Sequence, residues 1–156
     1  MRPELFLPKG IYPARFTVAK LKQWWPECTT LKGIGLKTED HFAEWITSPQ
    51  TIVLEMDGGA IFFYDMVWGI RASFMALMFD GKLSMRTGLV KDALLWAFLT
   101  FNLQRIGIQV PSSFLAFTRW AKKLGFTDEG RLRHWDRVEG HPCSHILMSV
   151  LAEEVQ

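Results

Sequence analysis

Acidic side chains that could act in proton transfer lie in the central part of the sequence, where apolar runs predict strands: Glu55, Asp57, Asp65 and Asp80. A carboxylate is a more effective general base at neutral pH when burial strengthens its affinity for a proton. Asp65 lies inside the aromatic run AIFFYDMVW, whereas Asp57 and Asp80 precede glycines, as turn residues do. We therefore predict Asp65 as a catalytic base. The alternative is a strand aspartate that faces solvent or pairs with an arginine.

A second group of reactive side chains lies near the C-terminus, where HPCSH places His141, Cys143 and His145 close together. Alternate positions of a strand share one face, so these residues could form part of a zinc shell. No fourth ligand is apparent, and a Cys143–His145 nucleophile pair would lack a third group to orient it. We expect no metal at this segment.

The elements that must position these residues begin with an irregular N-terminal third. Within it, KTEDHFAEWI predicts a helix with Thr38 as its N-cap. Phe42, Trp45 and Ile46 follow the i, i+3, i+4 spacing of one buried helix face. The runs TIVLEM, AIFFYDMVW and ASFMALMF then predict three strands, separated by the DGG hairpin signal and by Gly69.

The second half predicts alternating helices and strands. Residues 89–106 form a helix, RIGIQV follows as a strand, and a serine after Pro111 caps a second helix that ends at Gly125. The strands RLRHWDRV and SHILMSVL are joined by the turn EGHP. Residues 72–110 should form a right-handed β–α–β unit with parallel strands. The fold class is therefore α/β (α+β), with a mixed sheet flanked by helices.

Composition limits the possible partners and compartment. The 156 residues carry a net charge of +2 with scattered positive residues, so we expect neither nucleic acid nor a membrane as a partner. The two cysteines, Cys28 and Cys143, fit no CxxC pattern, which favours a reducing, cytoplasmic location. Seven Trp and twelve Phe, including the pair Trp24 and Trp25, predict an aromatic core, with a partner-facing patch as the alternative.

A motif in the second half resembles the GNAT superfamily of acyl-CoA-dependent N-acyltransferases, and most closely its ribosomal-protein N-terminal acetyltransferase branch. The matching residues are Lys123, Leu124, Gly125, Phe126, Glu129, Gly130, Leu132 and Arg133. The resemblance implies a GNAT-like, mostly antiparallel sheet. It also implies one domain over residues 1–156, with a variable helical part at 1–50 and the sheet and coenzyme-binding part at 51–151.

The family's phosphate loop, Q/R-x-x-G-x-G/A, aligns on Gly88. The implied cofactor-binding residues are Met85, Arg86, Thr87, Gly88, Leu89 and Val90. In such a loop, backbone N–H groups at a helix N-terminus bind the pyrophosphate of coenzyme A. Here Met85 replaces the polar residue, Arg86 is expected to supply the missing charge, and the Val90 side chain is expected to crowd the approach. The alternative is that Thr87 and Gly88 only start a helix.

Other positions depart from the family. Phe114 and Phe117 stand where relatives often carry Asn and Ser, and the helix before LGF has no tyrosine to serve as general acid. The resemblance implies acetyl transfer from acetyl-CoA to an amine or a protein N-terminus. The departures favour an alternative, in which the chain is a catalytically inactive binding or assembly module with the GNAT fold. Such a module could form a homo-oligomer or have a viral, phage-type role.

Overall fold

The computed structural model describes residues 7–15, 18–27, 38–78 and 82–155. The sequence predictions that concern Cys28, Asp80 and the segment 28–35 lie outside these ranges.

One mixed sheet forms the centre of the described structure. Its seven strands follow the order β1-β2-β3-β4-β5-β7-β6, and every neighbouring pair is antiparallel except β4 and β5. The strands are β1 (Ile11–Pro13), β2 (Ile52–Met56), β3 (Gly59–Val67), β4 (Arg71–Met78), β5 (Arg105–Pro111), β6 (Thr127–Val138) and β7 (His141–Leu151). The parallel β4–β5 pair confirms the predicted β–α–β unit.

Helices flank the sheet on both faces. They are α1 (Val18–Trp24), α2 (Glu39–Ile46), α3 (Thr87–Phe101) and α4 (Leu115–Lys123). A short 3-10 turn, Leu83–Arg86, leads into α3. Within the described residues, every helix is too short or too polar to cross a lipid bilayer.

Each face of the sheet has its own hydrophobic core. The α3/α4 core packs α3 and α4 against one face, with Leu94, Trp120 and Phe74 buried in it. The α1/α2 core packs α1 and α2 against the other face around Phe42 and Phe62. Aromatic residues are buried in both cores, as the composition predicts, whereas Tyr12, Trp68 and Trp135 are exposed.

The N-terminal elements confirm several local predictions. Thr38 caps α2, since its hydroxyl accepts the His41 backbone N–H over 3.1 Å. Phe42 and Ile46 are buried, while Trp45 is half-buried. Trp24 is buried and Trp25 half-buried in the same α1/α2 core, as the default interpretation predicts.

Helix boundaries in the second half differ from the sequence predictions. The helix predicted to reach residue 106 ends at Phe101, because Asn102 adopts a left-handed conformation with φ of 51°. The predicted serine N-cap of α4 is wrong: Phe114 stands at the N-cap and makes no side-chain cap bond. Pro111 belongs to β5. Gly125, with φ of 103°, ends α4 as predicted.

The strand predicted as RLRHWDRV, from Arg131 onward, begins four residues earlier in the structure. Strand β6 already begins at Thr127, and its register against β7 shifts between Asp128 and Gly130. A β-bulge leaves one extra residue on one strand, so turn-forming residues can lie inside a strand. The extra residue here is Glu129.

Candidate functional site

A fork opens in the middle of the sheet between the two parallel strands. Strands β4 and β5 are paired only from Arg71–Arg105 to Ser73–Gly107. Beyond that point, residues 74–78 of β4 stay paired with β3, and residues 108–111 of β5 stay paired with β7. Alternate backbone N–H and C=O groups on the facing edges therefore have no partner across the fork. This leaves a gap where an extended ligand could pair with strand backbone.

The Phe117 side chain lies at this fork. It is half-buried on α4 and packs against both the α3/α4 core and the α1/α2 core, which lie on opposite faces of the sheet. Since α4 itself packs on one face, the ring reaches the other core through the fork. Its edge contacts Trp120 at a centroid distance of 5.5 Å. The aromatic replacement noted in the sequence therefore occupies the gap between β4 and β5.

The predicted phosphate loop lies at the start of α3, and its residues play different roles. Met85 is 74% exposed. Arg86 donates Nε–H to the Asp57 carbonyl over 3.2 Å and Nη1–H to the Lys82 carbonyl over 3.4 Å. The guanidinium thus holds the β2–β3 turn and the 3-10 turn.

Two further loop residues differ in their exposure: Gly88 is open to solvent, whereas Val90 is buried. A Cβ added at Gly88 would have no heavy atom within 4 Å, so the backbone there is open to an approaching group. Val90 is fully buried in the α3/α4 core. The expectation that the Val90 side chain crowds the approach is therefore wrong, because the helix turns it away from solvent. Leu89 is half-buried and packs against the same core.

Thr87 connects the two helices that border the loop. Its hydroxyl donates to the Ser84 carbonyl over 2.9 Å and accepts the Trp120 indole N–H over 3.1 Å. Trp120 is buried on α4. Thr87 and Gly88 do start a helix, and the first of them also fixes α4 against that helix start.

A surface groove is bordered by the first half of α3, the C-terminal end of α4 and residues 154–155. The groove has a volume of about 290 Å³. It is lined by Gly88, Lys91, Asp92, Leu95, Lys123, Leu124, Gly125, Glu154 and Val155. Two of these side chains are cationic and two are anionic. Gly88 stands at one end, so a ligand held at the helix start could continue into this groove.

A second pocket lies where the fork begins, on the sheet face that carries the α1/α2 core. This open-face pocket has a volume of about 200 Å³. It is lined by Tyr64, Asp65, Arg71, Ala72, Ser73, Arg105, Gly107, Ile108, Gln109 and Leu147. The register pairs Tyr64 with Ser73 and Gln109 with Leu147, and paired positions face the same side of a sheet.

Asp65, the predicted base, lines this pocket but is exposed rather than buried. The register between β3 and β4 shifts between Tyr64 and Val67, and Asp65 has φ of 47°. Such a bulge re-aims a side chain, so the apolar alternation of the strand does not apply at this residue. Tyr64 beside it is buried, and burial, with a smaller effect of the Asp65 charge, raises the pKa of its hydroxyl.

The other central carboxylates have structural positions. Glu55 forms an ion pair with Lys20 at 2.5 Å, which joins β2 to α1. Asp57 lies in the β2–β3 turn, as predicted, and its carbonyl accepts from Arg86. Neither residue lines the open-face pocket.

An ion pair lies beside the open-face pocket. Arg105 donates Nη1–H and Nη2–H to the two Glu129 carboxylate oxygens, each over 2.5 Å. The Ser149 hydroxyl also donates to Glu129. These bonds hold the pKa of Glu129 below its ordinary value, with Arg105 the larger cause, and the same hydrogen bond raises the pKa of Arg105.

The HPCSH residues do not come together as ligands. His141 is exposed, whereas His145 is fully buried with Nδ1 2.8 Å from Gln109 Nε2. Cys143 is a buried free thiol. Among the described residues, no group of three or more His, Cys, Asp or Glu is arranged to hold a metal ion.

Sequence reasoning missed most of the open-face pocket. Arg71, Ser73 and Gln109 carry no motif, and they converge only because the neighbouring strands β4 and β5 bring them to one pocket. A usable signal was the β3–β4 hairpin itself, since alternation across it brings polar Ser73 opposite Tyr64.

No protein-family model matches the chain. No curated protein matches it. Several solved structures are similar to it. The spermidine N-acetyltransferase of Vibrio cholerae in complex with CoA and spermine aligns with a TM-score of 0.73 at 16% identity, over 95% of this chain and 99% of that chain. A chimera of the Vibrio cholerae enzyme SpeG and hSSAT gives 0.72 at 16% identity, over 94% and 98%.

A further structure of SpeG from Vibrio cholerae, in complex with manganese ions, has a TM-score of 0.68 at 17% identity, over 92% of this chain and 94% of that chain. These scores agree with the mixed, mostly antiparallel sheet and the flanking helices described above. The chain therefore has the fold of these N-acetyltransferases, the GNAT fold that the sequence resemblance predicts.

Proposed function

We propose that the protein is an N-acyltransferase that moves an acetyl group from acetyl-CoA to an amine. The observation that carries the proposal is the fork between β4 and β5, which has the open helix start at Gly88 on one side and the open-face pocket with Asp65 on the other. A fork through a sheet allows two substrates to meet from opposite faces. The solved acetyltransferases that share this fold support the proposal.

The helix start supplies the features that a pyrophosphate needs. Helix α3 has 15 residues, so its aligned peptide dipoles place partial positive charge at its first turn. The N–H groups at that turn, together with the open position at Gly88, would let a phosphate approach the backbone closely. The outer groove beside it then offers room for the rest of the nucleotide.

The fork would supply the features that a thioester needs, provided that the Phe117 ring moves out of it. When bound, acetyl-CoA would supply an activated acetyl thioester to this gap. Backbone N–H groups on the free edge of β4 can pair with the extended arm of acetyl-CoA that carries the thioester. They can also stabilise the negative charge that develops on the thioester carbonyl oxygen. Phe117 stands in this gap, so its ring must move aside before the arm can enter.

The open-face pocket would receive the amine. The Asp65 carboxylate is exposed to it and can accept a proton from the ammonium group, directly or through water. The freed amine would then attack the carbonyl carbon, and the C–S bond would break. The second proton of the attacking nitrogen would pass through solvent to the departing thiolate, which leaves the amide and the free coenzyme thiol, and Asp65 would return its proton to solvent. Holding both reactants at the fork contributes by orientation, which is a large term in acyl transfer.

The first test is coenzyme binding followed by turnover. Calorimetric titration of the pure protein with acetyl-CoA should give saturable binding, and an amine panel should release free thiol together with an N-acetylated product seen by mass spectrometry. Saturable binding with product formation supports the proposal. No binding at millimolar acetyl-CoA rejects it.

A second candidate is a GNAT-fold binding or assembly module without catalysis. The specific observation in its favour is Phe117, which fills the fork with an aromatic ring in the described structure. A defined multimer in solution, combined with no shift of the melting temperature on adding acetyl-CoA, would favour this candidate, since a ligand that binds the folded state raises its stability.

The proposal also covers the kind of acceptor amine, the extent of the domain and the cellular compartment. A protein N-terminus, as in the ribosomal-protein branch that the sequence resembles, is one amine that the pocket could accept. Residues 1–156 would act as one domain, with residues 51–151 supplying the coenzyme site. The buried free thiol of Cys143 is compatible with work in a reducing compartment such as the cytoplasm.

A further inference from the structure

The charges of the open-face pocket differ from those that a polycation would require. Arg71 and Arg105 are direct neighbours in the parallel register of β4 and β5, and both line the pocket. Asp65 is the one carboxylate among the lining residues. The pocket therefore presents two guanidinium groups and one carboxylate, whereas a site for an amine with several positive charges needs an excess of carboxylates.

The two arginines are not equivalent. Arg105 is neutralised by the two-pronged pair with Glu129. The Arg71 side chain is exposed and makes no hydrogen bond or ion pair with any residue within the described ranges of the chain. One cation of the pocket is thus already matched by protein, and the other is left for a ligand or solvent.

The shape of the pocket limits the size of the ligand. Gly107 forms part of its lining, and a Cβ added there would lie 3.6 Å from Arg105 Nη2 and 3.6 Å from the Met148 carbonyl oxygen. These are ordinary contacts, so the glycine is not required by packing and its absent side chain leaves room in the pocket. A volume of about 200 Å³ is small for a ligand site, which suits a compact acceptor.

We propose that the acceptor is a small amine that also carries a carboxylate, with its ammonium group at Asp65 and its carboxylate at Arg71. This inference rests on the proposed function, because it assigns the amine side of the same fork. An arginine can hold a carboxylate through two parallel N–H···O bonds, which would also orient the amine toward the fork. A diamine of the same length would instead place a second positive charge beside Arg71.

The test compares 4-aminobutyrate with 1,4-diaminobutane, which differ mainly at the end opposite the reacting amine. Thiol release from acetyl-CoA and direct binding by NMR titration are measured for both compounds. We expect kcat/KM for 4-aminobutyrate to exceed that for the diamine by about tenfold, the size of one charge-assisted hydrogen-bonded contact. Arg71→Gln should remove this preference, while Arg131→Gln, exposed on β6 and outside the pocket, should keep it.

The two readouts separate the inference from the proposed function. Turnover that prefers the diamine, or a carboxylate preference that survives Arg71→Gln, overturns the inference while leaving acetyl transfer intact. Binding of 4-aminobutyrate that depends on Arg71, without any turnover, supports the pocket assignment while rejecting catalysis. Absence of binding by 4-aminobutyrate in both readouts overturns the inference directly.

Discussion

The Trp120 indole N–H donates to the Thr87 hydroxyl over 3.1 Å and thereby joins α4 to the first turn of α3. Trp120 also contacts the Phe117 ring, which lies at the fork. One short chain of contacts therefore links the helix start proposed for the pyrophosphate to the aromatic ring that fills the proposed thioester gap.

Thr87→Val should lower the free energy of unfolding by about 1–3 kcal/mol, because it leaves the buried Trp120 N–H without its acceptor. Urea unfolding at pH 7 measures the change. Thr100→Val on the same helix is the control, and it should change stability by less than about 0.5 kcal/mol. Equal effects of the two substitutions would show that the indole bond contributes nothing.

Gly88→Leu should weaken acetyl-CoA binding by at least about tenfold without loss of stability, because a Cβ at this position has open space around it and the longer side chain would block the helix start. Replacing a helical glycine also favours the helix by up to about 1 kcal/mol. Calorimetry gives the affinity and thermal melting gives the stability. Gly130→Leu is the matched control, since that glycine is equally open but lies on β6. Unchanged affinity in Gly88→Leu would place the coenzyme elsewhere.

Phe117→Ala should strengthen acetyl-CoA binding while lowering stability, because it empties the fork and removes half-buried apolar surface from both cores. We expect an affinity gain of about tenfold, equivalent to about 1.4 kcal/mol that the wild-type protein spends on moving the ring. Phe114→Ala is the control: Phe114 is also half-buried, but it packs against the α3/α4 core alone. If both variants only lose stability and acetyl-CoA affinity is unchanged, the Phe117 ring does not obstruct acetyl-CoA binding.

Asp65→Asn should reduce kcat/KM by about 10²-fold or more if this carboxylate accepts the amine proton. The fold should be kept, because the side chain is exposed and asparagine tolerates the left-handed backbone found here. Steady-state thiol release measures the effect, and Asp128→Asn, an exposed aspartate on β6, serves as control. Full activity in Asp65→Asn would assign the proton transfer to another group.

Glu129→Gln should remove a pH-dependent part of the stability. The pKa of Glu129 is held below its ordinary value by Arg105 and Ser149, so its contribution is present above the unfolded-state pKa of about 4.3 and is lost as pH falls through the lower folded-state pKa. The stability difference between wild type and variant should therefore be constant above about pH 5 and shrink on acidification. Urea unfolding between pH 3 and 7 tests this, and a difference that does not depend on pH would contradict it.

The sequence alone determined most of the elements and their order. Local signals are strong where one residue decides the backbone: Thr38 caps α2, and Gly125 ends α4. The apolar, β-branched runs and the DGG signal placed β2 and β3 correctly. The family resemblance placed a loop and helix start around Gly88, and a helix does start at Thr87, while phosphate binding there stays a prediction.

Tertiary structure decided which side chains meet and which way they point. Asp65 is exposed because a bulge in β3 interrupts the alternation, and Val90 is buried because the sheet packs under the first turn of α3. The fork arises where β4 and β5 diverge, and Phe117 enters it from a helix that follows β5. Strand pairing joins residues far apart in the chain, so a single sequence predicts the strands but leaves their register and the residues gathered across it to the packed fold.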